Sequence, residues 1–241
     1  MKHLRLYGGC VADGQRSWTM TGECILAPAG PQVRAGPLPA GVAPLPGPAV
    51  LVAERHAESP AGPFVTLVLG RPARIGARVG ICFTTAAVSS TDSRMAGRHH
   101  WGFPGEVATL GWDSDVDTHT LRWDERGVVV RAHFGRRSLP VAIPFRAVQR
   151  RADGPVVVPG RLRGRARRGR VVIEVQGSDL SGLAGTHRAI HVAGLRLVLD
   201  PARLPHGRLR TLLAPAPGIE PGYGFRRFNP SATPRHRVPV G

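Results

Sequence analysis

Turn-forming residues punctuate this chain from end to end, and that spacing limits what it can fold into. Twenty-three prolines and 31 glycines are spread through 241 residues. Proline removes a backbone donor and locks φ, and glycine raises the cost of ordering the chain, so both break long helices. Between them lie short β-type runs: Trp18–Ala27, Ala49–Ala53, Phe64–Leu69, Val79–Val88, Leu139–Ile143, Val156–Val158, Val171–Val175 and Ala189–Leu199. The clearest pattern is a hairpin over Thr120–Phe134. Leu121 and Trp123 alternate with Arg122, the segment Asp124-Glu125-Arg126-Gly127 turns, and Val128, Val130, Ala132 and Phe134 return on one face. One helical turn is predicted at Ser90–Ala96, with Thr91 as its N-cap. Pro28–Pro48 reads as extended chain and turns. These spacings predict a mainly β, single-domain chain, a barrel or sandwich with few short helices. Residues 1–16 read as a loosely ordered lead-in, 17–214 as the domain, and 215–241 as a disordered tail rich in Pro, Gly and Arg.

Composition narrows the chemistry. Apolar residues make up 42% of the chain, enough for a sizeable core. Lys+Arg number 33 against 16 Asp+Glu, for a formal charge of +17, yet Lys2 is the single lysine. Interior lysine chemistry is thereby excluded, and the basic balance reflects arginine alone. Cys10, Cys24 and Cys82 show no metal-ligand spacing and no disulfide framework. The N-terminus lacks an apolar stretch of signal length and no run of 18 apolar residues occurs, so the expectation is a cytoplasmic chain without a membrane partner. No phosphate loop, Rossmann fingerprint or nucleophile elbow is present, and no cofactor or metal is expected.

The most informative stretch is Gly97-Arg98-His99-His100-Trp101-Gly102-Phe103-Pro104-Gly105-Glu106. It resembles the GR-x4-(Y/F)-P motif of the acetoacetate decarboxylase family, with Gly97, Arg98, Phe103 and Pro104 matching without gaps. Leu38–Gly47 is similar to that family's early loop, and His56–Phe64 to its connection into a central strand. Pro155–Arg163 and Ala193–Leu199 fit its later strands loosely. The resemblance spans residues 20–215. It implies a curved-sheet, cone-like barrel around a central cavity, a small carboxylate or keto compound as ligand, and a homo-oligomer.

The departures from the family pattern bear on mechanism. In the family, two lysines follow the Pro. The first forms a Schiff base with a β-keto acid, and the second lowers its pKa. Here Gly105 and Glu106 take those places, and Thr66 stands where the family carries a glutamate. The sequence thus keeps the pocket-building pattern without the amine. Two readings follow: an enzyme of lyase or hydrolase type using other groups, or a non-catalytic binder of a small keto acid. Genuine acetoacetate decarboxylation is the alternative that the missing lysine opposes.

Candidate groups follow from the same segment. Glu106 is a candidate acid/base, and His99 or His100 a weaker one; on an extended segment the two histidines face opposite ways. Arg98, with Arg94 competing, is a candidate clamp for a substrate carboxylate. Trp101, Phe103, Pro104, Gly105 and Thr66 are candidate pocket residues. Cys82 reads as an inert buried thiol. A second arginine feature is Arg161–Arg170, where Arg161, Arg163, Arg165 and Arg167 alternate onto one face of a strand. That face offers a polyanion-binding alternative, but no aromatic interleaves and no nucleic-acid module is present, so specific nucleic-acid binding is not expected.

Overall fold

The computed structural model describes residues 16–29, 36–177 and 180–205. The expected tail, and the lead-in apart from Arg16, lie outside the described residues.

The short runs lengthen and in two places merge, and three further short strands join them. In chain order they are β1 (Trp18–Ala29), β2 (Ala43–Pro44), β3 (Ala49–Glu58), β4 (Phe64–Ile75), β5 (Arg78–Val88), helix α1 (Thr91–Ala96), β6 (Glu106–Val107), β7 (Leu110–Ser114), β8 (Thr118–Trp123), β9 (Val128–Arg151), β10 (Gly154–Val175) and β11 (Gly185–Leu199). A π-helical turn, Gly97–Trp101, continues α1, and single 3-10 turns precede β9 and β11. Among the described residues all eleven strands form one sheet in the order β6-β5-β4-β3-β1-β11-β10-β9-β8-β7, with β2 pairing onto β4. Nearly every pairing is antiparallel. The sheet curves back on itself where β5 meets β9 through the parallel bridge Ile81–Ala147.

Both faces of the central strands are buried, against different cores. Ala49, Leu51 and Ala53 of β3 pack with Ile25, Leu67, Leu121, Val130, Phe134 and Ile173 in one aliphatic cluster. The opposite face serves a second cluster around Met20, Cys24, Trp101, Leu195 and Leu197. Strand β1 contributes to both clusters by simple alternation: Met20, Cys24 and Leu26 face the second, and Ile25, Ala27 and Ala29 the first. Register slips occur at Gly22/Cys24 against β11 and at Thr21/Gly22 against β3. In each case the extra residue belongs to the partner strand, so the alternation of β1 runs through unbroken.

The expected hairpin is present, with Asp124–Arg126 in a 3-10 turn and Gly127 in the left-handed region at φ 57°. The Arg161–Arg170 segment lies within β10. Arg161, Arg163 and Arg165 are exposed as alternation predicts, but Arg167 is half-buried. Arg167 keeps the alternation of its neighbours, but at its position that face is covered, and its guanidinium meets Asp117, His119 and His191. The middle of β9 pairs only with β10, leaving Leu139 and Ile143 exposed. Pro140 and Pro144 in that stretch withhold N–H donors, a known way of blunting an unpaired edge.

Gly22 lies at both register slips of β1, and a Cβ there would lie 1.9 Å from the Arg55 carbonyl oxygen. Gly22→Ala is expected to push β1 away from β3 and destabilise the protein by about 1–3 kcal/mol, measured by urea unfolding. An unchanged midpoint would mean that this close backbone approach does not hold the two strands together.

Candidate functional site

A cavity of ≈120 Å³ lies between the sheet and the segment from α1 to Pro104. Its floor follows directly from strand register. Val52, Glu54 and His56 alternate along β3, and directly opposite them on β4 stand Val68, Thr66 and Phe64. Thr66 and Val68 are paired in turn with Val88 and Ala86 of β5. All of these line the cavity, with Trp18 and Met20 of β1 and Leu197 and Leu199 of β11. Ser93, Arg94, Gly97, Trp101, Phe103 and Pro104 close it from above.

The cover is built by a short helical segment that local propensity alone would not hold. Ser90, not Thr91, is the N-cap of α1: its hydroxyl accepts from the Ser93 N–H at 3.3 Å. Residues 97–101 form a helical turn, so His99 and His100 are not on the extended segment the sequence suggested. Gly102 ends the turn at φ 72°, and a Cβ there would sit 2.5 Å from the Arg150 carbonyl oxygen. Glycine thus meets both a left-handed backbone and a close approach. Trp101 is then buried, its indole N–H donating to the Asp200 carbonyl at 3.2 Å. Arg94 is fixed through Nε, which donates to the Gly105 carbonyl at 3.0 Å.

Four polar side chains, Glu54, His56, Thr66 and Arg94, stand out in this largely apolar cavity. His56 is buried, and its Nε2 lies 3.2 Å from Glu54 Oε2. A carboxylate only accepts, so Nε2 carries a hydrogen toward it, which in the neutral ring leaves Nδ1 as a lone-pair acceptor. That Nδ1 is buried with no hydrogen-bond partner among the described residues. The His56 ring rests on Phe64 at 4.4 Å between centroids. Thr66 donates to the Ala87 carbonyl at 2.8 Å and faces Glu54 as a neutral group. Arg94 supplies the cation.

The sequence-predicted residues divide between this cavity and the surface. Trp101, Phe103, Pro104 and Thr66 line it. Glu106 does not: it is exposed and ion-paired with Arg126 at 3.3 Å. Arg98, His99 and His100 border an open groove outside the cover instead. Gly105 sits behind Arg94, and a Cβ on it would meet Arg94 Cγ at 3.5 Å and Val88 Cγ2 at 3.7 Å. Cys82 is fully buried, and burial pushes its thiol up to about 11.

No protein-family model matches the sequence, and no curated protein resembles it in sequence. Solved structures do match in shape. Acetoacetate decarboxylase from Legionella pneumophila gives a TM-score of 0.58 at 15% identity, covering 78% of this chain and 87% of that one. The enduracididine biosynthesis enzyme MppR complexed with pyruvate gives 0.54 at 16% identity, covering 78% and 90%. An acetoacetate decarboxylase-like enzyme from Sphingomonas wittichii RW1 gives 0.51 at 15% identity, covering 78% and 92%. The chain has the acetoacetate decarboxylase fold.

This acetoacetate decarboxylase-like chain holds a second polar cluster that sequence reading missed. Glu23 Oε2 lies 3.0 Å from His191 Nε2 and 3.3 Å from His119 Nδ1, and Trp112 donates to Glu23 Oε1 at 3.0 Å. These three side chains have the donor types and proximity of a metal site. The rear nitrogens argue otherwise. Arg167 NH2 lies 3.1 Å from His191 Nδ1 and 3.4 Å from His119 Nε2. A guanidinium can only donate, so both rear nitrogens are acceptors and both front nitrogens carry hydrogen; that of His191 is bonded to Glu23, while His119 Nδ1 has no hydrogen-bond partner among the described residues. A metal would need those front lone pairs, and the rear N–H groups would then face the arginine. Titration with zinc is therefore expected to leave the melting temperature unchanged; a zinc-dependent rise abolished by His191→Ala would overturn this assignment of protons.

The same network makes stability depend on pH. Burial, then the neighbouring His191, pushes His119 down to about 4. Burial alone would raise the Glu23 carboxyl, but the His191 hydrogen bond, both imidazoles and Trp112 outweigh it and hold it below its usual range. Both groups have folded pKa values below their unfolded ones, so their stabilisation is complete above the unfolded values. It is lost as pH falls, beginning near the unfolded histidine value of roughly 6.5 and continuing through about 4. Urea midpoints measured from pH 7 to pH 4 are expected to fall, and His119→Phe should flatten the profile.

Proposed function

We propose that this protein binds a small keto acid in the cavity and moves a proton on it without forming a covalent amine adduct. The observation that carries this reading is the placement of Glu54, His56 and Arg94 in one otherwise apolar cavity. A cavity of ≈120 Å³ suits a molecule of a few carbons, since one of about 150 Å³ takes benzene. Pyruvate, the ligand named for the MppR complex, is of that size and is the starting probe.

The chemistry follows from the three groups. Arg94 pairs with the ligand carboxylate through its planar guanidinium. Glu54 takes a proton from the carbon beside the carbonyl. The C–H electron pair becomes the enolate double bond, and the carbonyl electrons move onto oxygen beside Arg94. His56 donates Nε2–H to Glu54 and fixes its orientation, and its Nδ1 accepts a hydrogen bond from the ligand or its enol. The apolar walls exclude water and strengthen these interactions. Schiff-base decarboxylation is disfavoured because Lys2 is the single lysine of the chain.

Deuterium exchange into the methyl group of pyruvate in D₂O, followed by proton NMR, tests this reading. Wild type is expected to accelerate exchange. Glu54→Gln should slow it by about 10²–10⁴-fold while retaining binding, and Arg94→Met should weaken binding. Borohydride treatment with pyruvate should add no mass to the protein. Binding without exchange would overturn the catalytic half of the proposal and leave a binding protein. Failure of pyruvate and of other 2- and 3-keto acids to bind would overturn it entirely.

A further inference from the structure

The enclosed cavity and the open groove outside the cover share a wall. Phe83, Phe103 and Pro104 line both, so the partition between them is one layer of side chains thick. Phe83 and Phe103 meet edge to face at 5.4 Å and 83°. That single ring contact can be opened by rotating Phe103, which directly follows the left-handed Gly102.

The groove is also charged in one sense. Arg98, Arg150 and Arg151 border it, and its one carboxylate, Asp153, is bound to the Arg151 guanidinium. Arg151 also donates to the His100 carbonyl at 3.3 Å, and Arg150 to the Ala40 carbonyl at 3.0 Å. Those two arginines brace the groove, while Arg98 is exposed at its edge. Thr84, in the same groove, has a buried hydroxyl with no hydrogen-bond partner among the described residues. A concave surface of one sign raises the local concentration of the opposite ion.

We infer that this groove is the vestibule through which a small carboxylate anion reaches the cavity, steered by Arg98 and admitted between Phe83 and Phe103. This inference rests on the keto-acid reading for its ligand but not for its route. Arg98 is then an entrance residue, which gives a role to the motif arginine that the cavity does not use.

Two measurements test it. By stopped flow, pyruvate association is expected to slow about 10-fold between low and high salt, and several-fold in Arg98→Gln, with the dissociation rate unchanged. The neutral analogue pyruvamide should show neither effect. Phe103→Ala, or Phe103→Leu should the alanine variant fail to fold, should raise association and dissociation rates for both ligands. The second measurement needs no substrate: quenching of tryptophan fluorescence, with Trp101 beside Phe103. Phe103→Ala should increase quenching by iodide and by acrylamide, and Arg98→Gln should decrease quenching by iodide only. Rates and quenching indifferent to Arg98, salt and Phe103 would overturn the vestibule. Loss of pyruvate binding with the quenching pattern intact would overturn the keto-acid reading alone.

Discussion

Strand β3 is buried on both faces, and the site depends on that constraint. Its period of two sends Ala49, Leu51 and Ala53 into one aliphatic core and Val52, Glu54 and His56 toward the cavity. A slip of one residue would exchange the two sets and place a carboxylate and an imidazole in the aliphatic core. Burying an unpaired charge there costs several kcal/mol. Register is therefore held by the core on one side, and the polar pair is positioned by the same packing on the other. The site is rigid because it is the reverse face of a core strand rather than a loop.

The opposite wall is held differently. Residues 91–102 make too short a helical stretch to be stable alone, and three long-range contacts hold it: Trp101 to Asp200, Arg94 to Gly105, and Arg151 to the His100 carbonyl. Each satisfies a polar group that closure would otherwise bury unpaired. The GR…FP pattern thus has a mechanical meaning in this chain. Gly102 makes the turn, Phe103 and Pro104 form the wall, and Gly105 gives its carbonyl to Arg94. None of these functions requires an amine at residue 105, so the cover persists without one.

Much of the scaffold was legible in the sequence. The Pro and Gly spacing, the Thr120–Phe134 hairpin and the GR…FP segment led to a mainly β chain with a curved sheet. The site was less legible. Glu54 and His56 sit in Ala-Glu-Arg-His-Ala-Glu, which reads as the solvated end of a short strand. They are buried only because the cover folds over one face of β3, a contact between residues some 40 positions apart in sequence. Glu106 misled in the opposite direction. Its place beside the motif suggested a cavity, but β6 pairs parallel with β5 and both its residues are exposed. Arg167 shares a face of β10 with Arg161, Arg163 and Arg165, but there that face is covered by His119 and His191, residues far from it in sequence.

The two histidine–carboxylate clusters show why burial by itself does not identify a working site. Glu23, His119 and His191 are as deeply placed as Glu54 and His56, yet their front and rear nitrogens face defined groups. Arg167 occupies the rear of both rings, and Glu23, held also by Trp112, occupies the front. His119 Nδ1 and Arg167 Nε also lack hydrogen-bond partners among the described residues, but neither residue lines the cavity, and protonating either ring would set its rear N–H against a guanidinium. At His56 the front nitrogen is taken by Glu54, but the rear one has no partner among the described residues. A buried acceptor left in that state costs free energy unless something fills it. The unsatisfied nitrogen belongs to a ring that lines a cavity also holding Arg94. The same residue types thus form a structural lock where a guanidinium and a carboxylate enclose both rings, and a site for chemistry where the unmatched nitrogen belongs to a cavity wall.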